Sequence, residues 1–171
     1  MSDSIHCIIT GGTIDSFYDA TKDTVTPLPH SVLPKFVKNL KLYQKVKFTE
    51  ICMKDSRDLT LQDRKQILKT IELSSSKKLL ITQGTYTLTE TAQYLQKNIK
   101  TKNKTVILTG AMSPLDGFVG SDGLFNLGFA LAKLEDLDPG VYVCMNGKVF
   151  APEEVKKVRD QGRFVSVLGE K

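Results

Sequence analysis

The chain has 171 residues, of which 40% are hydrophobic and 25% are charged, and this composition favours one globular domain with a substantial core. Its net charge is only +5 and its lysines are spread along the chain, so a nucleic-acid-binding surface is not expected. Two histidines and three separate cysteines, without any Cys-x-x-Cys, argue against a metal site and favour buried free thiols: Cys7, Cys52 and Cys144. No apolar run is long enough to cross a bilayer and no secretory signal precedes the first strand, so we expect a cytoplasmic protein.

The first elements alternate between strand and helix. Residues 5–10 form an apolar run that predicts a strand. Residues 15–29 are rich in Asp, Thr and Pro and have no regular period, so they predict a loop long enough to act as a lid. A helix with Ser31 as its cap follows, because apolar residues recur at helical spacing at Leu33, Phe36, Val37 and Leu40.

The same alternation continues through the middle of the chain. Residues 46–53 predict a second strand, and Thr60 with Asp63 has the spacing of a capping box at the start of a second helix. Residues 79–82 predict a third strand. Thr87 and Glu90 have capping-box spacing as well, ahead of a third helix whose buried face is Leu88, Ala92, Leu95 and Ile99.

Two further strands and one helix complete the pattern. Residues 105–109 and 141–145 predict strands, and the helix between them has an apolar stripe at Leu124, Leu127, Leu131 and Leu134. An Asn146-Gly147 turn favours a hairpin in which Val149 and Phe150 pair back. Residues 152–157 suggest one helical turn, and residues 163–168 suggest a strand.

Alternating strands and helices predict an α/β fold: an open, mostly parallel sheet with helices on both faces, in three layers, flavodoxin-like, as a single domain over residues 1–171. In such a sheet the carboxyl ends of the strands form the ligand crevice. The predicted strands end there in small or hydroxylic residues, and glycine allows the backbone to approach a ligand closely.

Two of these strand ends have the same arrangement. Each buried strand ends in Thr, a glycine turn and a second Thr, which are Thr13 after the first strand and Thr85 after the third. These hydroxyls are candidates for a nucleophile and a relay, and because no histidine lies at a strand end the base would be a lysine of lowered pKa. The alternative is that both threonines are turn or helix-cap hydroxyls, and that Ser56 is an ordinary loop serine.

At these motifs the chain resembles the bacterial-type asparaginase family. The family's first signature is similar to Thr10-Gly11-Gly12-Thr13-Ile14, and its second is similar to residues 81–92. A further family signature is similar to Thr109-Gly110-Ala111-Met112 together with residues 121–127. The resemblance implies that Thr13 is the nucleophile and Thr85 the relay. It implies that Lys157 is the catalytic lysine, with Lys156 as the neighbouring alternative, and that Ser56, Gly84 and the residue at position 86 bind substrate.

The second signature departs from the family pattern. Gln83 and Tyr86 stand where the family has histidine and aspartate, and that aspartate binds the α-ammonium group of the substrate. A phenol is neutral near pH 7, so Tyr86 cannot replace that charge. The position of the family's lid tyrosine falls near Thr24 or Val25, so a tyrosine is missing there. Tyr18, in the same loop, is the candidate to replace it. Family members are usually about twice this length, and the usual C-terminal domain is expected to be absent.

The resemblance therefore predicts an asparaginase-like amidohydrolase that releases ammonia from asparagine or a related side-chain amide through an acyl-enzyme. It requires no cofactor and no metal, and a small-molecule amide is the expected partner, without nucleic acid or membrane. A homo-oligomer is expected, since exposed sheet edges tend to be covered. The alternative is a non-catalytic small-molecule-binding or regulatory module derived from the same fold.

Overall fold

The computed structural model describes residues 4–115 and 120–168. The helices are α1 (Leu33–Asn39), α2 (Leu61–Leu73), α3 (Leu88–Asn98) and α4 (Asp122–Asp136), and two 3-10 turns cover Thr13–Asp15 and Ser56–Asp58. The strands are β1 (Ile5–Gly11), β2 (Ser16–Asp19), β3 (Thr24–Pro27), β4 (Val46–Lys54), β5 (Lys78–Thr82), β6 (Thr105–Thr109), β7 (Gly140–Met145), β8 (Lys148–Phe150), β9 (Val155–Val158) and β10 (Arg163–Ser166).

Within the described residues, the main sheet has the strand order β4-β1-β5-β6-β7-β8. All neighbours are parallel except β8, which pairs antiparallel with β7 across the predicted Asn146-Gly147 turn. The parallel strands alone have the order 2-1-3-4-5, which is the flavodoxin-like order. The direction of winding reverses between β1 and β5, so a crevice is expected at the carboxyl ends of these two strands.

Helices cover both faces of this sheet, as predicted. Apolar side chains of α2 and α3 pack on one face, and those of α1 and α4 pack on the other. Strands β5 and β6 are buried over nearly their whole length, which explains their continuous apolar sequences. The predicted capping box of α2 is present, because the Thr60 side chain accepts from the Asp63 N–H and Asp63 accepts from the Thr60 N–H.

Three local predictions are wrong. Residues 15–29 do not form a plain loop but contain an antiparallel β2–β3 hairpin, whose Phe17 and Tyr18 both face solvent and so break the alternation typical of a strand. Residues 152–157 are not a helical turn, since β9 pairs with β10 and buries Val155 in the core. The Thr87 hydroxyl does not cap α3 and instead donates to the Ser56 carbonyl.

The stripe predicted for α4 is partly correct. Leu127 and Leu134 are buried, whereas Leu124 is 49% exposed. No helix in the described part of the chain is both long and apolar enough to cross a membrane.

Candidate active site

The glycine turns after β1 and β5 touch each other at the expected crevice. A Cβ atom added to Gly12 would lie 2.1 Å from the Gly84 nitrogen and 2.3 Å from its Cα, so only glycine allows this approach. The φ angle of Gly12 is +85°, which also favours glycine. Thr13 and Thr85 each follow one of these glycines, so the contact brings the two predicted hydroxyl residues to one place.

Lys157 reaches Thr85 from the β9–β10 hairpin. Its Nζ lies 2.6 Å from the Thr85 Oγ1, although the two residues are far apart in sequence. Side chains alternate along a strand, so the neighbouring Lys156 faces the other way and is exposed. Across the hairpin Lys157 is paired with Phe164, whose buried ring anchors this element to the main core. Of the two lysines considered from the sequence, Lys157 is the one that contacts Thr85.

The pKa of Lys157 is lowered from its usual value. Burial of the amine is the main cause, and the positive charge of Arg159 acts in the same direction. The carboxylates of Asp55 and Asp122 oppose this shift. A lower pKa increases the neutral fraction of the amine, and only the neutral amine can accept a proton.

Ser56, Gly84 and Tyr86 form the opposite side of the Thr85 turn. The Ser56 Oγ accepts a hydrogen bond of 3.1 Å from the Tyr86 N–H, which leaves its own proton available to donate. A Cβ atom on Gly84 would lie 2.8 Å from the Ser56 Oγ, so this glycine also permits a close backbone approach. These three residues, which the family resemblance implies as substrate-binding, are therefore neighbours.

Tyr86 is 41% exposed, and its ring lies among three cationic side chains. Its centroid is 4.3 Å from the Lys157 Nζ, 4.9 Å from the Arg57 guanidinium and 5.0 Å from the Arg159 guanidinium. Neither arginine was predicted from the sequence to lie at the site. Arg159 directly follows β9, two residues after Lys157, and both side chains contact the Tyr86 ring. The available signal was this spacing, which a strand prediction for residues 155–158 would have made visible.

Thr13 lies in the 3-10 turn that follows Gly12 and is partly exposed. Its hydroxyl has no hydrogen bond to any residue that the structure describes, so it is not a cap within that part of the chain. Tyr18, the possible lid tyrosine, donates to Asp23 inside the β2–β3 hairpin and is 48% exposed.

A buried carboxylate closes the Thr13 turn. Asp15 accepts hydrogen bonds of 2.9 Å from the Ser31 hydroxyl and 3.0 Å from the Val32 N–H. Burial raises the pKa of Asp15 to about 6, and these two hydrogen bonds oppose the rise. The sequence pattern did not predict that Asp15 is buried, since it indicated only that Asp15 begins a polar loop.

A second polar network supports the strand ends from the side of α4. Asp122 accepts from the N–H groups of Met112 and Ser113, each at 2.9 Å, and so holds the loop after β6. Asn126 donates to the Gly110 carbonyl at 3.0 Å and accepts from the Asn146 N–H at 3.1 Å. These side chains lie in motifs recognised from the sequence, but their structural role depends on contacts between distant elements.

Two buried atoms beside the site have no hydrogen-bond partner in the part of the chain that the structure describes. They are the Thr82 Oγ1 and the Gln83 Oε1. The Gln83 amide nitrogen donates to the Thr87 hydroxyl at 3.3 Å, so the position that departs from the family signature is packed into the wall of the site. In the same described ranges, no group of three or more His, Cys, Asp or Glu side chains is placed to hold a metal ion.

A flavodoxin-like sheet with hydroxyl and amine groups at its switch point defines the class of fold and site. The family model Asparaginase, N-terminal, matches residues 4–165, and the chain belongs to the asparaginase family. It is 33% identical to L-asparaginase 2 of Escherichia coli, over 96% of this chain and 49% of that protein. It is 30% identical to a probable periplasmic L-asparaginase of Haemophilus influenzae, over 90% of this chain and 46% of that protein.

Solved structures agree with this assignment. The thermostable L-asparaginase from Thermococcus kodakarensis superposes with a TM-score of 0.83 at 27% identity, over 96% of this chain and 51% of that one. A probable cytoplasmic L-asparaginase from Campylobacter jejuni superposes with a TM-score of 0.80 at 30% identity, over 96% of this chain and 53% of that one. The chain thus spans about half the length of these relatives.

Proposed function

We propose that this protein is an asparaginase-like amidohydrolase that releases ammonia from a side-chain amide, with Thr13 as the nucleophile. The observation that carries the proposal is the 2.6 Å contact between the Lys157 Nζ and the Thr85 Oγ1, next to the turn that presents Thr13. A threonine hydroxyl is a weak nucleophile until a positioned base removes its proton. A lysine of lowered pKa, acting through a second hydroxyl, supplies that base.

In the proposed reaction the Thr13 Oγ attacks the amide carbon while its proton passes through Thr85 to the neutral Lys157. The carbon–nitrogen bond then breaks, the nitrogen takes up the proton from the relay and ammonia leaves. An ester to Thr13 remains. A water molecule, deprotonated by the same relay, attacks this ester and regenerates the threonine, so amide and water yield carboxylate and ammonia.

The substrate carboxylate has a proposed partner in Ser56. Its hydroxyl accepts from the Tyr86 N–H and keeps a proton to donate, and Gly84 lets Ser56 lie close to the backbone of the Thr85 turn. Charge-assisted hydrogen bonds of this kind are stronger than neutral ones, so Ser56 would hold the carboxylate while Thr13 reacts.

The test is ammonia release from asparagine, glutamine and N-acetylasparagine. We expect Thr13→Ala to lower kcat by roughly a thousandfold or more, because it removes the covalent route. Thr13→Ser keeps a hydroxyl and is expected to retain measurable turnover, which controls for loss of folding. Most of the activity surviving in Thr13→Ala would refute the assigned role. No ammonia from any amide, with a ligand still raising the Tm, would favour the binding-module alternative.

A further inference from the structure

The surface around Tyr86 is cationic, and this charge bears on which amide the site accepts. We call the side chains of Arg57, Lys157 and Arg159 the cationic rim, since each places its charged group within 5.0 Å of the Tyr86 ring centroid. Lys157 also contacts Thr85. A ligand whose amide group reaches the two threonines must therefore pass beside the rim.

The carboxylates that act on Lys157 are already engaged. Asp55 accepts from the Arg57 Nε at 3.0 Å and from its Nη2 at 2.8 Å. Asp122 accepts from the backbone N–H groups of Met112 and Ser113 and from the Asn126 amide. The charge of Asp55 is therefore offset by Arg57, and Asp122 already accepts from three protein donors, which weakens the attraction of both carboxylates for a ligand ammonium group.

Arg159 differs from Arg57 in having no carboxylate partner within the described residues. Its guanidinium contacts the exposed Tyr86 ring. Lys157 becomes a further cation whenever it has accepted the relay proton. An ammonium group on the ligand would be repelled by these charges, whereas an anionic or neutral group would be tolerated or attracted.

We propose that the substrate is a monoamide of a dicarboxylic acid that carries no ammonium group, so that its carboxylate faces Ser56 and the cationic rim. This inference rests on the proposed amidohydrolase function and assigns its substrate class. Tyr86 then packs against the ligand carbon chain, at the position where an amino acid would need a negative charge.

The experiment compares succinamate with asparagine, because the two differ only by the α-ammonium group. We expect kcat/KM for succinamate to exceed that for asparagine by about tenfold or more, from the summed effect of exposed charges. Salt should reduce this ratio, since the rim is solvent-exposed. N-acetylasparagine, in which the amine is neutral, is expected to fall between the two.

Variants test the origin of the preference. Arg159→Gln is expected to lower the succinamate-to-asparagine ratio several-fold, and the ratio cancels any common effect of Arg159 on the base Lys157. Lys156→Gln removes the same charge from the opposite face of β9 and is the matched control, expected to leave the ratio unchanged. Tyr86→Asp is expected to reverse the preference toward asparagine.

The outcomes separate this inference from the function on which it rests. If ammonia release requires Thr13 but is as fast or faster with asparagine than with succinamate, the proposed substrate class is overturned and the proposed amidohydrolase function stands. If no amide is hydrolysed, calorimetric titration of the Thr13→Ala protein with succinate and with aspartate still tests whether the site prefers a ligand without an ammonium group. The inference is supported if succinate binds more tightly than aspartate and if this preference weakens in the double variant Thr13→Ala, Arg159→Gln. It is overturned if succinate and aspartate bind equally or if neither binds.

Discussion

Lys157 illustrates how neighbouring residues set the chemistry of a single side chain. The same amine is close to Thr85, to the Tyr86 ring and to the charge of Arg159. Burial and Arg159 both favour its neutral form, in which it can act as a base. Once protonated, it adds to the positive charge that a substrate meets. The proposed relay and the proposed substrate preference therefore rest on one arrangement.

Asp15 yields a prediction about stability and pH. Its pKa of about 6 in the folded protein lies above the ordinary value of 3.8, so the folded state binds the proton more readily than the unfolded state. Stability from this group is present at low pH and is lost as the pH rises through about 6. The shift corresponds to about 3 kcal/mol, as an order of magnitude for a buried group.

The variant Asp15→Asn isolates this effect, because it has no proton to gain at that position. We expect the free energy of unfolding of the native protein, minus that of Asp15→Asn, to increase when the pH is lowered from 7.5 to 5. Urea unfolding of both proteins at the two pH values measures it. A difference that is constant, or that decreases at pH 5, would contradict the raised pKa.

At the scale of elements, the two glycine turns are the junction on which the site depends. We expect Gly12→Ala to destabilise the protein by several kcal/mol and to abolish amidase activity. The added Cβ would lie 2.1 Å from the Gly84 nitrogen, which forces the β1 and β5 turns apart.

Gly120 offers a matched control for this substitution. Its φ angle is +83°, close to the +85° of Gly12, but a Cβ atom there would meet no atom of the described residues within 4 Å. Gly120→Ala therefore places a Cβ atom at a positive φ angle without that clash, and we expect a cost of only about 1–2 kcal/mol. Denaturant unfolding and ammonia release distinguish the two. Equal losses in both variants would show that strain, and not the contact between turns, is decisive.

The two short hairpins, β2–β3 and β9–β10, are the elements whose secondary structure was wrongly predicted from the sequence. Strands β2 and β3 pair with each other outside the main sheet, and Phe17 and Tyr18 are both exposed, so neither hydrophobic alternation nor burial signalled a strand. Strand β9 begins shortly after Pro152 and is defined by its pairing with β10. In both cases, pairing partners and not local propensity determine the conformation.

At the scale of the whole molecule, the described chain has open edges. Strands β4 and β8 lie at the two ends of the main sheet. Tyr43, Leu73 and Leu168 are large apolar side chains with relative exposures of 103%, 76% and 67%. Exposed sheet edges and apolar side chains favour association, so the sequence-based expectation of a homo-oligomer stays a prediction.

Sedimentation velocity over a range of protein concentrations tests that expectation for this chain. We expect a species larger than the monomer that dissociates on dilution, because buried apolar surface drives association by mass action. A single monomer at all concentrations up to about 100 μM, well above the range of specific complexes, would contradict it. The cytoplasmic location also stays a prediction, since the relatives include proteins described as cytoplasmic and as periplasmic.

Lys157 became a candidate only through the family resemblance. The sequence by itself determined the order of the main strands and helices, the glycine turns, and Thr13 and Thr85 as candidate hydroxyls. These features are encoded locally, by periodicity and by short motifs at strand ends. The tertiary structure decided what surrounds them: the cationic rim at Tyr86, the burial of Asp15 and the contact between the two turns. Charge and burial depend on residues far apart in the chain, so only their placement in space supports the proposals made for the protonation state of Lys157 and for the substrate class.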